Sequence, residues 1–82
     1  MQRFADFTKE QIIKGNTAGA NRCLQKAEDI YRSGSLHIKN LVANVYVYSV
    51  STFLELHNYN IQNLFPEALF GEYKTQINAS SL

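Results

Sequence analysis

Apolar and polar residues divide the chain into four segments, separated by short breaks rich in glycine, asparagine and serine. The breaks are Gly15-Asn16, Ser33-Gly34-Ser35 and Asn58-Tyr59-Asn60. Within the segments, apolar residues recur mainly every three or four positions, which is the period of an amphipathic helix. Connections this short leave consecutive helices antiparallel. The pattern therefore predicts a chain of helices folded back on one another.

The first two segments predict helices that each bury one side. In residues 3–14, four apolar side chains fall loosely on one side: Phe4, Ala5, Phe7 and Ile12. Gly15 suits the left-handed conformation that ends many helices, and Asn16 or Thr17 can cap the next one. The second helix, ended by Gly34, has a seam of small and apolar residues: Ala20, Cys23, Leu24, Ala27, Ile30 and Tyr31. Its other surface consists of polar residues: Arg22, Gln25, Lys26, Glu28, Asp29 and Arg32.

The third segment is rich in valine and tyrosine, a composition that favours a strand. Alternate positions do not separate apolar from polar residues, however, so the strand period is absent. At about 100° per residue, six polar residues fall within a wedge about 60° wide: His37, Asn40, Asn44, Ser51, Glu55 and Asn58. We therefore expect one helix from Leu36 to His57, capped by Ser35. Because it is apolar around most of its circumference, this helix should be central.

The fourth segment predicts a short helical turn over residues 61–65, followed by a C-terminal helix. Pro66 is expected at the first position of that helix, where its missing N–H costs nothing. Leu69, Tyr73 and Ile77 form an apolar stripe along it. Together, the segments predict one all-α domain over residues 1–82. We expect a small antiparallel helical bundle of about four helices around a long central third helix.

Composition limits the class of protein. The chain has 82 residues, enough for one domain, and 45% are hydrophobic, which excludes a disordered chain. A net charge of +1 disfavours nucleic acid as a partner, since nucleic-acid binders carry a basic excess. Polar residues interrupt the most apolar stretch, residues 41–56, so we expect no membrane span. With no secretory signal and one free thiol, Cys23, we expect a cytoplasmic protein.

Residues that commonly carry catalysis are not grouped in this sequence. Cys23 lies on the apolar side of its helix, where a free cysteine packs as a small hydrophobe. His37 and His57 lie near opposite ends of one predicted helix, too far apart to share a metal ion. Glu28 and Asp29 point about 100° apart on a helix and do not converge on one substrate. We therefore expect no enzyme, no catalytic residue, no cofactor and no metal site.

Charge is distributed unevenly along the chain. Residues 1–39 hold seven basic and four acidic groups, whereas residues 40–82 hold one basic and three acidic groups. Interface cores are depleted in lysine and glutamate and enriched in tyrosine. The charge-poor stretch therefore predicts a candidate interface: Asn44, Tyr46, Tyr48, Ser51, Glu55, Tyr59, Asn60 and Asn63. The alternative is that several of these tyrosines are core residues with the hydroxyl at the rim.

Three features carry a resemblance to a known family. One helix ends at Gly34, a long helix begins around Ile38-Lys39-Asn40, and the last helix opens with Pro66. In the runs CLQKAEDIYRSGSLHIKNLVANVYVYSVSTFLE and LFPEALFGEYKTQI, the chain resembles a family of short, all-helical bacterial proteins of uncharacterised function. The resemblance implies no catalytic or ligand-binding residue. Small proteins of this kind are sometimes antidotes to secreted bacterial toxins, an analogy of size and composition.

Two functions of different classes follow from the sequence. The leading hypothesis is a non-catalytic protein-interaction module. Its partner would be another protein, such as a toxin, or a second copy of the chain in a homodimer. The alternative is a small ligand-binding or enzymatic helical bundle that uses Glu55 and a histidine. Nucleic-acid binding by the basic first half is disfavoured, because acidic residues are interspersed there.

Overall fold

Five helices form the part of the chain that the computed structural model describes, namely the backbone of residues 1–80 and the side chains of residues 1–78. They are α1 (Gln2–Ile13), α2 (Thr17–Ser33), α3 (36–56), α4 (Ile61–Leu64) and α5 (Glu67–Ser80). No strand occurs among these residues, so the predicted all-α class is confirmed, the valine-rich third segment included. The predicted single domain also takes in residues 81–82, which lie outside the described part, and it stays a prediction.

Local side chains end the helices at the predicted breaks. Gly15 has a φ of +75°, a conformation that glycine adopts without strain. The Asn16 side chain accepts a 3.0 Å hydrogen bond from the N–H of Gly19 and so caps α2. Ser35 caps α3 in the same way, by accepting from the N–H of Ile38 at 3.4 Å. Asn58, with a φ of 60°, turns the chain away from α3.

The central helix α3 is not a regular α-helix. Two α-helical stretches, Leu36–Leu41 and Tyr48–Leu56, are joined by a π-helical stretch, Val42–Val47. A π turn is closed by a hydrogen bond between residues five apart, so it holds more residues than an α turn. On an α-helix, residues four positions apart differ by about 40° around the helix axis. In a π turn this angular difference is smaller. The buried residues of α3 accordingly form two four-residue rows: Val42, Tyr46, Val50 and Leu54, and Ala43, Val47 and Ser51.

The third helix is the centre of the bundle, as predicted. It contacts each of the other four helices, and all five helices contribute to one hydrophobic core. Tyr46 and Leu54 of α3 are fully buried there, together with Leu69 of α5. The side chain of Gln76, also in α5, donates a 2.7 Å hydrogen bond to the carbonyl oxygen of Ala43, inside the π stretch. The last helix is thus tied to the irregular part of α3.

The buried side of α1 differs from the prediction. Ala5 and Ile12 are buried as expected, but Phe7 is 50% exposed, and Thr8 is fully buried. The Thr8 hydroxyl donates to the carbonyl oxygen of Phe4 at 2.9 Å and lies 2.8 Å from the Tyr46 hydroxyl. Because both polar groups are hydrogen-bonded, the polar side chain can enter the core at little cost. Phe7 is left at the surface.

Glu28 is also buried, although the pattern places it on the polar side of α2. Its two carboxylate oxygens accept hydrogen bonds from the backbone N–H groups of Ala68 and Leu69, each at 3.0 Å. The guanidinium of Arg32 donates to the same carboxylate at 2.8 Å. Glu28 therefore caps the first turn of α5 from another helix. Pro66 stands one position before this helix begins, not at its first residue.

Candidate interaction surface

Two of the eight residues predicted for the interface are buried inside the protein. Tyr46 is fully buried, and its ring stacks on Phe4 with the centroids 5.1 Å apart. This burial raises the pKa of the Tyr46 hydroxyl. Ser51 is buried as well and donates a 3.2 Å hydrogen bond to the carbonyl oxygen of Tyr48. The interface prediction was wrong for Tyr46 and Ser51. Tyr46 is a core residue, as in the alternative, but its hydroxyl is buried and not at the rim.

The π stretch explains the error at Ser51, whereas Tyr46 was already outside the predicted polar wedge. The predicted wedge assumed a constant step per residue, whereas the wider turn over Val42–Val47 takes up close to one additional residue. Positions after the stretch are therefore displaced relative to those before it. Ser51 is turned into the protein, and Leu56, which the regular pattern did not assign to the polar wedge, is 75% exposed.

An exposed ridge runs along the second half of α3. Tyr48 is 62% exposed, and Thr52 follows one turn later. Tyr48 and Thr52 each line two grooves, one on either side of the helix, and therefore separate these grooves. Leu56 continues the line by one more turn. We call Tyr48, Thr52 and Leu56 the α3 ridge.

The groove on one side of the ridge lies between α3 and α5 and has a volume of about 440 Å³. Glu55 lines it from α3, and Tyr73, Gln76 and Ile77 line it from α5. The Tyr73 hydroxyl donates to the Glu55 carboxylate at 3.3 Å. Burial, together with the negative charge of Glu55, raises the pKa of Tyr73. The groove therefore combines apolar walls with one carboxylate and an amide.

The groove on the other side lies between α3 and α1 and has a volume of about 320 Å³. Gln2 and Lys9 line it from α1, and Phe53 and Leu56 from α3. Gln2 also donates a 3.1 Å hydrogen bond to the Ser49 hydroxyl, which joins the two helices at its edge. The ridge is thus flanked by a groove with a lysine on one side and by a groove with a glutamate on the other.

The structure does not bring the other predicted residues onto the ridge. Asn44 is exposed one turn before Tyr48. Asn60 caps α4 by accepting from the N–H of Asn63 at 3.3 Å, and both side chains are exposed. Tyr59 is 43% exposed and lines a different groove, against the start of α2. Of the predicted set, Tyr48, Glu55 and the buried Ser51 line the groove between α3 and α5.

The apolar members of this surface were not predicted from the sequence. Leu56 lies outside the predicted polar wedge and Ile77 lies in the predicted apolar stripe of the last helix, yet they are 75% and 42% exposed. The sequence carries no clear signal of the displacement, because Val42, Tyr46, Val50 and Leu54 span only about 120° of a regular α-helix and therefore also fit its apolar side. Glu55 was correctly predicted to lie at the surface.

The groups considered for catalysis lie apart. Cys23 is buried, which confirms its predicted packing role. His37 is exposed, and His57 follows the end of α3, with its ring centroid 4.5 Å from that of Phe53. Neither histidine lines the groove that contains Glu55. Among the residues that the structure describes, no three histidine, cysteine or acidic side chains are grouped so that they could hold a metal ion. Within the same part of the chain, no helix is long and apolar enough to span a membrane.

Comparison with known proteins places the chain in a family. No curated protein and no solved structure matches it. A family model matches residues 1–79, a range that begins ahead of α1 and ends within α5. That family is described as a domain of unknown function, DUF7674. The predicted membership in a family of uncharacterised small proteins is therefore confirmed, and the chain belongs to the DUF7674 family.

Proposed function

We propose that the protein is a non-catalytic interaction module that forms a homodimer through the α3 ridge. The observation that supports this proposal most directly is the exposure of Tyr48 and Leu56, at 62% and 75%, two turns apart on one helix. Large apolar side chains grouped at a surface mark sites of protein association. Tyrosine is among the residues that dominate binding energy at interfaces.

The shape of the surface favours a second copy of the chain. A homodimer usually has a two-fold axis, so the same patch must complement itself. The α3 ridge stands directly beside a groove of about 440 Å³. With an axis close to Tyr48, the ridge of each copy would enter the groove between α3 and α5 of the other. Tyr73, Gln76 and Ile77 would then contact the partner's ridge.

The oligomeric state, measured by light scattering after size-exclusion chromatography, tests this proposal. We expect a concentration-dependent dimer, which Leu56→Lys or Tyr48→Ala shifts to monomer. Leu36→Lys is the matched control, because Leu36 is also 75% exposed and lies at the opposite end of the same helix. A wild-type protein that is strictly monomeric at millimolar concentration would disprove the homodimer, and equal effects at Leu36 and Leu56 would show that the ridge is not its interface.

The biological setting that we propose is toxin immunity in the bacterial cytoplasm. It rests on the resemblance in size and helical composition to antidotes of secreted toxins. Co-expression with a toxin encoded beside its gene tests this role: the wild-type chain should restore growth, and Tyr48→Ala should restore it less. No rescue of any neighbouring toxin would refute immunity and leave the dimer measurement unaffected.

A further inference from the structure

Another groove, formed by residues distant in sequence from the α3 ridge, lies between α1 and α2 and has a volume of about 470 Å³. Phe4 and Phe7 line it from α1, and Arg22 and Lys26 line it from α2. Phe4 is fixed by stacking on Tyr46, whereas Phe7 is 50% exposed. The groove therefore has an aromatic side and a cationic side.

The positive charge in this groove is not compensated within the described part of the chain. No acidic residue lines the groove, and neither Arg22 nor Lys26 takes part in an ion pair there. The nearby acids have other partners, and Asp29, three residues after Lys26, accepts a 3.0 Å hydrogen bond from the Gln25 side chain. Asp6 pairs with Lys9 at 3.5 Å, Glu10 pairs with Lys14 at 2.9 Å, and the Glu28 carboxylate binds Arg32.

The spacing of the two cations also costs stability in the isolated protein. Arg22 and Lys26 are four residues apart, so they face the same side of α2, and like charges at this spacing repel each other. A bound anion would remove this repulsion. The exposed ring of Phe7 adds an apolar contact that a simple inorganic anion would leave unused. The groove is therefore complementary to a ligand that carries negative charge and an apolar group together.

We propose that the α1–α2 groove binds an acidic peptide segment of a partner protein, in which carboxylates flank a large apolar side chain. The carboxylates would pair with Arg22 and Lys26, and the apolar side chain would pack on Phe7. A protein segment fits better than a nucleic acid, because the groove has only two cations and the chain, with a net charge of +1, lacks the basic excess of nucleic-acid binders. This site and the α3 ridge consist of different residues, so the peptide-binding proposal does not depend on the homodimer proposal.

Amide chemical shifts of the full chain, followed during titration with a blocked peptide of sequence Glu-Glu-Phe-Glu-Glu, test the proposal. We expect shifts centred on Phe7, Arg22 and Lys26 and weaker binding at higher salt. Reversing both charges, in Arg22→Glu with Lys26→Glu, should weaken binding about tenfold or more. The double variant Lys39→Glu with Lys74→Glu changes the net charge equally at positions outside the groove and should bind like the wild type.

Four further measurements make the outcome decisive. Phe7→Ala should weaken binding without a change in charge, and the neutral peptide Gln-Gln-Phe-Gln-Gln should bind much more weakly than the acidic one. Equal binding of the two peptides, or an equal loss in the two charge-reversed variants, would overturn the proposal. Tighter binding of a short oligothymidine at the same residues would replace it with nucleic-acid recognition. Tyr48→Ala should leave peptide binding unchanged, which separates this test from that of the dimer.

Discussion

At the scale of single residues, tyrosines that are close in sequence differ strongly in how much of the side chain is exposed. Tyr46 and Tyr48 are two positions apart, yet one is fully buried and the other is 62% exposed. The buried hydroxyl is kept hydrogen-bonded, because it lies 2.8 Å from that of Thr8. A buried polar group without such a partner would cost about 1–3 kcal/mol. The Thr8 hydroxyl therefore lowers the free-energy cost of burying Tyr46. The pattern of α1 alone would place Thr8, as a polar residue, at the surface.

Tyr46 should make the protein sensitive to alkali. Its pKa is raised by burial, so the folded protein keeps the hydroxyl proton at a pH at which the unfolded chain, with a pKa of about 10, loses it. The free energy of unfolding is therefore independent of this group below pH 10 and falls as the pH rises above about 10. Tyr46→Phe should lose about 1 kcal/mol at neutral pH, through the lost hydrogen bond, and show a shallower alkaline decline.

Urea unfolding monitored by circular dichroism between neutral pH and pH 11 measures both effects. Tyr48→Phe is the control, because its hydroxyl is at the surface. Tyr31 and Tyr73 also have raised pKa values, chiefly through burial, so part of the alkaline decline should persist in Tyr46→Phe. An identical alkaline decline in wild type and Tyr46→Phe would contradict the role given to Tyr46.

At the scale of the helices, the last helix is held at two points by hydrogen bonds between a polar side chain and the backbone of a neighbouring helix. Glu28 caps the first turn of α5, and Gln76 bonds the π stretch of α3 from further along α5. The N–H groups at a helix start have no partner within the helix, and a negative charge there also matches the helix dipole. Since α5 forms one wall of the groove beside the α3 ridge, these ties also shape the candidate interface.

Removal of the Glu28 carboxylate should loosen α5 before it unfolds the protein. We expect Glu28→Ala to lower the free energy of unfolding by about 3 kcal/mol, because it leaves the N–H groups of Ala68 and Leu69 without their acceptor and Arg32 without its partner. Hydrogen exchange should quicken first at those two amides. Asp29→Ala, at the exposed neighbouring position, is the control and should change stability by less than about 0.5 kcal/mol. Unchanged exchange at Ala68 and Leu69 would rule out the proposed cap.

At the scale of the whole molecule, one core joins all five helices, so stability should be shared among them. A chain of 82 residues is expected to have a free energy of unfolding of about 4–12 kcal/mol. A substitution that leaves one large cavity in the core would therefore remove a substantial part of this free energy of unfolding. The same size leaves much of the surface available for contacts, and the two proposed binding sites lie on different pairs of helices, one on α3 and α5 and the other on α1 and α2.

The pair Leu54 and Leu56 tests how far the centre of the bundle controls folding. Leu54→Ala should destabilise the protein by about 2–5 kcal/mol, because Leu54 is fully buried in α3. Leu56→Ala, two residues later and 75% exposed, should stay within about 0.5 kcal/mol of wild type. Thermal unfolding followed by circular dichroism and by tyrosine fluorescence should give coincident single transitions in both variants. Similar losses at the two positions would contradict the observed orientation of α3.

The amino-acid sequence by itself determined the helices and their ends. Gly15, Asn16 and Ser35 act on the backbone within a few residues of themselves, so their effect is visible without the fold. The centrality of α3 follows from composition as well, because a helix with little polar surface must be covered on several sides. The burial of Cys23 and the exposure of Glu55 were predictable on the same grounds.

Only the tertiary structure decided where the exposed and buried sides depart from the helical pattern. The π stretch of α3 displaces every residue after it, so Ser51 turns inward and Leu56 outward. Glu28 is buried because the start of α5, forty residues later, supplies its hydrogen-bond donors. The grooves beside the α3 ridge and between α1 and α2 arise where separate helices meet. Such features depend on partners distant in the chain, and helical periodicity records only the neighbours within one helix.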